Sequence, residues 1–288
     1  MMNTANLSTD MDHSLPQRVS LMMKSCVAST LTNFFLKILW FGSTFCKGAF
    51  VLPCMTAKKP SVPPQPETAP VQIWVLLDSS GSMESLQLNV VESLNAFVAE
   101  QAATDPATAI SIHTFPSVPY ARKAAGVITV LVDDVAAGSL VSFTPDDYSP
   151  NGNTPLYDSL GELLRRAETD NNKRICQGLP CQDPLVVIIT DGQENASRWH
   201  HRKSVFEHIE RLQADGWAFI FLGSNQEAWT EAAKIGIPRG DSLTFESSPT
   251  GLRDALNSAS KSVSAYRSMT RPLRSEKRNS MMHIKDAH

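Results

Sequence analysis

Two apolar runs, each closed by an aspartate, constrain this chain more than any other feature. Residues 71–77, Val-Gln-Ile-Trp-Val-Leu-Leu, lead into Asp78-Ser79-Ser80-Gly81-Ser82, and residues 184–190, Pro-Leu-Val-Val-Ile-Ile-Thr, lead into Asp191-Gly192. Short apolar runs with little polar alternation read as strands buried on both faces, the kind found in parallel sheets covered by helices. In an open parallel α/β sheet the strand C-terminal ends share one edge, where ligands bind. Asp78 and Asp191 are therefore expected on the same edge.

The rest of the chain alternates strand and helix, as a doubly wound, mostly parallel sheet with helices on both faces requires. Helices are expected at 84–103, 155–168, 203–214, 226–235 and 252–269, and further strands at 109–115, 217–222 and 242–245. A strand at 127–132 is placed at an antiparallel edge. Pro155 belongs in a first helical turn, which makes Thr154 the expected N-cap. Residues 170–183 are polar and read as a surface loop, and no internal repeat is visible.

Asp78, Ser80 and Ser82 put one carboxylate and two hydroxyls at a strand end, an outline that suits a hard cation such as Mg²⁺, Mn²⁺ or Ca²⁺. Alone, the serine-rich turn is equally a turn and a helix cap. Taken with Thr154 in Asn151-Gly152-Asn153-Thr154-Pro155 and Asp191 in Thr190-Asp191-Gly192, it resembles the metal-ion-dependent adhesion site of the von Willebrand factor type A family. The similarity runs from about residue 71 to about residue 240. Gly223-Ser224-Asn225-Gln226-Glu227-Ala228 resembles a bacterial and phage branch of single-domain members.

The resemblance implies a Rossmann-like fold in which Ser80, Ser82 and Thr154 bring oxygens to a divalent ion, while Asp78 and Asp191 act directly or through water. Uncharged hydroxyls leave much of the ion's charge uncompensated, so an Asp or Glu of a protein partner can complete its shell. The expected function is metal-dependent protein binding. Ser85, Tyr157, Gln193 and Glu194 are expected on the rim that meets the partner. The alternative is a metal-assisted hydrolase or phosphatase, for which Glu194 and Asp158 are the nameable acid or base candidates, though both also read as surface residues. A vestigial metal site is a third reading, opposed by all five positions being intact. Phosphate-loop, dinucleotide, zincin and nucleophile-elbow motifs do not occur in the sequence.

The 288 residues are 42% hydrophobic and 19% charged, enough for one core of roughly 150 to 200 residues with appendages. Charge divides unevenly. Residues 71–260, the expected domain, hold 13 Lys and Arg against 24 Asp and Glu, a net −11, while residues 1–70 carry +3 and residues 261–288 carry +5. An acidic body argues against nucleic-acid binding, which needs clustered positive charge. The basic end, 261–288, reads as a solvated, partly disordered tail.

In the first 70 residues an apolar segment, 26–54, precedes a proline-rich lead-in, 60–70. The stretch 26–46 is long enough to span a bilayer as an anchor, against which Lys37 stands inside it. The preferred expectation is a native start at Met55 and a cytoplasmic protein, with membrane anchoring as the alternative. Five cysteines, at 26, 46, 54, 176 and 181, show no zinc spacing. Cys176 and Cys181 are expected as thiols, with a bridge within their loop as the alternative. His200, His201 and His208 are not expected to bind metal, since His201 and His208 lie seven apart on or beside one helix and are expected to be exposed.

Overall fold

A computed structural model describes residues 69–116, 127–224 and 228–283. Six strands form one sheet in the order β3-β2-β1-β4-β5-β6. They are β1 (Val71–Asp78), β2 (Ala109–Phe115), β3 (Thr129–Ala136), β4 (Asp183–Thr190), β5 (Ala218–Ser224) and β6 (Ser242–Phe245). All pairs are parallel except β2 with β3, which is antiparallel at the edge. The expected doubly wound sheet is the observed one.

Six helices among the described residues accompany it: α1 (Gln87–Thr104), α2 (Leu156–Cys176), α3 (Arg202–Ala214), α4 (Ala228–Lys234), α5 (Pro249–Arg267) and α6 (Arg271–Lys277). Strand side chains alternate between faces. Ile73, Val75 and Leu77 pack with Leu94, Phe97, Leu252 and Leu256 of α1 and α5. Trp74 and Leu76 pack on the other face with Leu160, Leu164, Ile209 and Ala232 of α2, α3 and α4. With both faces covered, every residue of β1 is buried, which is why the strand reads as a nearly unbroken apolar run.

β1 lies between β2 and β4. The chain leaves β1 toward β2 and β3 on one side, and β4, β5 and β6 extend the sheet on the other. The order thus reverses between β1 and β4, and crevices open at such switch points beyond the strands' carboxyl ends. Asp78 closes β1 and Asp191 follows β4 directly, so both fall at the crevice.

Three expectations are corrected. Residues 170–176, read as loop, continue α2. The polar run Asp170-Asn171-Asn172-Lys173 suggests a break, but Lys173 pairs with Asp170 at 2.7 Å. The helix ends at Cys176, and Gly178, whose φ of 70° suits glycine, turns the chain away, with Leu179 N–H donating to Arg174 C=O at 3.0 Å. Residues 271–277, read as part of a solvated tail, form α6 and fold onto the domain, with Arg271 and Arg274 reaching Asp183 at 2.7 and 2.9 Å. The membrane-anchor reading is also withdrawn: no helix among the described residues is long and apolar enough to cross a membrane. The stretch 26–46 lies outside those residues, as do Met55 and the lead-in to 68.

Candidate metal centre

β1 hands its last side chain straight into the crevice. Asp78 is fully buried, and its two oxygens are divided between the strands. Oδ1 accepts from Ser80 N–H at 2.8 Å, an Asx-type turn that reverses the chain. Oδ2 accepts from Thr190 Oγ1 of β4 at 2.6 Å. Ser79 fastens the turn to β2, donating its N–H and hydroxyl to Phe115 C=O at 2.6 and 3.0 Å.

Ser80 Oγ lies 3.1 Å from Ser82 Oγ, and Ser82 Oγ donates to Asp191 Oδ1 at 2.7 Å. A short chain of oxygens therefore crosses from β1 to β4. The loop before α2 is laid over this turn by two backbone bonds, Gly81 N–H to Gly152 C=O at 3.0 Å and Asn151 N–H to Ser79 C=O at 2.7 Å. Gly152 sits at φ 85°, a conformation that favours glycine.

That loop delivers Thr154, which is 3% exposed. It is not the N-cap of α2; Pro155 is, one residue later. Asn195 brackets Thr154 instead. Its Oδ1 accepts Thr154 N–H at 2.9 Å, and its own N–H donates to Thr154 C=O at 3.2 Å. A methyl group at Gly192 would lie 2.9 Å from Thr154 Oγ1, so the threonine hydroxyl rests against the turn that follows Asp191. All five predicted positions reach one edge. Asp78, Ser80, Ser82 and Asp191 are hydrogen-bonded in series, and Thr154 joins them by packing.

Burial pushes the Asp78 carboxyl up to about 6, with Asp191 adding repulsion and the Thr190 and Ser80 hydrogen bonds pulling the other way. Burial likewise raises Asp191, against the Ser82 hydrogen bond. Two desolvated carboxylates facing three hydroxyls make an all-oxygen donor set, which suits a hard divalent cation, and a cation relieves the repulsion between them. No group of three His, Cys, Asp or Glu side chains able to hold a metal occurs among the described residues, so any ion here depends on the hydroxyls.

Of the candidate acid and base, both expected at the surface, Asp158 is buried and Glu194 is partly exposed. Asp158 is fully buried and accepts the N–H groups of Arg198, Trp199 and His200 at 2.7, 2.9 and 2.6 Å. Glu194 accepts from Tyr157, Ala196 and Ser197 N–H at 2.8, 2.8 and 2.7 Å, and from Ser197 Oγ at 2.6 Å. Together they bind residues 194–200 to the start of α2 and so hold Asn195 beside Thr154. Ser85 and Gln193, expected on the rim, are exposed. His200 packs its ring over Gly161 with Nδ1 3.3 Å from Asp158, and His208 meets Glu168 at 2.7 Å. The three histidines form no cluster. Cys176 and Cys181 are thiols.

No family model matches the chain, and no curated protein does. Among solved structures, it is similar to the pilus adhesin SpaC from Lactobacillus rhamnosus GG in its open conformation, with 15% identity and a TM-score of 0.52 over 70% of this chain. The chain spans only 31% of that protein's length. The SpRpn10 VWA domain aligns over 66% of this chain and 95% of its own, with 13% identity and a TM-score of 0.46. Manganese-loaded TRAP protein from Plasmodium vivax aligns over 64% of this chain and 72% of its own, with 18% identity and a TM-score of 0.43. The six-stranded sheet with its single antiparallel edge, its switch point between β1 and β4, and the likeness to SpaC give this chain a von Willebrand factor type A-like fold.

Proposed function

We propose that this chain is a metal-dependent protein-binding module. Asp78, Ser80, Ser82, Thr154 and Asp191 would hold Mg²⁺, Mn²⁺ or Ca²⁺ at the β1–β4 crevice, and an Asp or Glu of a protein partner would complete the ion's shell. The observation that carries the reading is the oxygen chain from Ser80 through Ser82 to Asp191, set against the buried Asp78. The likeness to SpaC, a pilus adhesin, is in keeping with a binding role.

The ion supplies a concentrated positive charge; the protein supplies its placement. Asp78 is tied to Thr190 and Ser80, and Asn195 fixes Thr154, so the donors are ordered before an ion arrives. Residues 71–260 carry a net −11, which repels an acidic partner at long range. The ion then becomes the condition for contact. Catalysis is disfavoured because the nameable acid and base candidates, Asp158 and Glu194, are saturated by backbone donors.

Calorimetric titration with Mg²⁺ and Mn²⁺, repeated in the presence of a soluble carboxylate, tests this. Saturable binding strengthened by the carboxylate is the expected result. Metal binding indifferent to carboxylate would remove the acidic partner from the reading.

A further inference from the structure

The opposite edge of the sheet, where β4 and β5 begin, holds a cavity of about 390 Å³ walled in part by α6. Arg271, Arg274 and Arg278 bring three guanidiniums to its lining. Asp183 pairs with the first two, at 2.7 and 2.9 Å. Asp215 also lines the cavity but lies 3.7 Å from Arg211. Arg278 donates to Gln213 C=O at 2.6 Å and to Ser275 Oγ at 2.9 Å, and among the described residues no carboxylate pairs with it.

A second observation is independent of the arginines. Asn171 Oδ1 and Gln182 Oε1 are buried in the same lining with no hydrogen-bond partner, and Gln182 is only 9% exposed. Leaving such atoms unpaired is costly. A side-chain amide can turn end for end, presenting N–H as readily as C=O. Two adaptable amides beside a guanidinium without a carboxylate are a donor set for an oxyanion, and the planar fork of arginine matches phosphate. The volume falls in the range of small-molecule pockets and exceeds what a bare ion needs.

We propose that this cavity is a second binding site, which takes a phosphate group, either free or borne by a small molecule. Three arginines against two carboxylates, Asp183 and Asp215, make this lining net positive within a body that is acidic overall. The site uses none of the residues at the Asp78 edge.

Titration of the full chain with inorganic phosphate, and separately with phenyl phosphate, distinguishes the two sources. Saturable one-site binding is expected for at least one of them. Tighter phenyl phosphate would identify a phosphomonoester, and tighter inorganic phosphate the free ion. Arg278→Gln should weaken binding by about tenfold or more, and Gln182→Leu should weaken it as well. Arg253→Gln, which removes an exposed charge elsewhere, should leave it unchanged. If Arg278→Gln does not fold by circular dichroism, Gln182→Leu decides. Absence of saturable binding for both probes, unchanged affinity in the cavity variants, or an equal loss in Arg253→Gln would overturn the proposal.

Discussion

Thr154 is held by its backbone, not its hydroxyl, which leaves Oγ1 available to a ligand. Asn195→Ala removes the acceptor for Thr154 N–H. Partners of this kind around metal ligands contribute about 10- to 100-fold in affinity, so the variant should bind Mn²⁺ at least about tenfold more weakly with an unaltered circular dichroism spectrum. Unchanged Mn²⁺ affinity would show that Thr154 needs no bracket. At Gly192 an added methyl meets Thr154 Oγ1 at 2.9 Å, and overpacking of this kind costs about 1–3 kcal/mol. Gly192→Ala should therefore lower the urea midpoint and the metal affinity together; a stability unchanged from wild type would mean that the loop yields freely. Asp78 and Asp191 could be placed from sequence because each closes an apolar run that reads unmistakably as a strand. Asn195, Glu194 and Asp158 could not be given their roles. Their partners are backbone N–H groups about forty residues away or within a folded-back loop, and no periodicity marks either. Thr190 was hidden for another reason: a β-branched residue at the end of a strand needs no further explanation.

At the scale of elements, strands were legible and helix ends were not. Sheet burial imprints itself as apolar runs, whereas α2 continues for more than a turn as a solvated helix that no core contact announces. The docking of α6 was invisible for a related reason. Charge counting registers arginines as a basic tail, but Asp183, the carboxylate they surround, lies about ninety residues earlier at the start of β4. Arg274 is 5% exposed in its side chain and also donates to the carbonyls of Ala69, Tyr266 and Arg267. Removing the partner of a buried charge typically costs about 3–5 kcal/mol. Asp183→Ala should therefore lose about 3 kcal/mol in urea unfolding and expose α6 to proteolysis. Wild-type stability in this variant would return residues 271–277 to the status of an appendage.

Over the whole molecule, the fold separates an oxygen-lined edge from an arginine-rich one, with the acidic body between. Asp241 tests how that body tolerates buried charge. It is 1% exposed, and burial pushes its carboxyl from 3.8 up to about 7 while the Met281 N–H hydrogen bond pulls the other way. The folded chain then holds a proton that the unfolded chain releases near 3.8, so this group's contribution is complete below that pH and is lost as pH rises toward 7. Asp241→Asn keeps an acceptor for Met281 without the charge. It should melt above wild type at pH 8, with the difference shrinking as pH falls toward 4; a difference independent of pH would contradict the assignment. The most direct measurement is Mn²⁺ titration of the wild type beside Asp78→Ala and Thr154→Ala, followed by the Mn²⁺ electron paramagnetic resonance signal. One saturable site, lost in both variants while their circular dichroism is retained, is the predicted result. Equal Mn²⁺ binding in all three proteins would contradict a metal centre between β1 and β4.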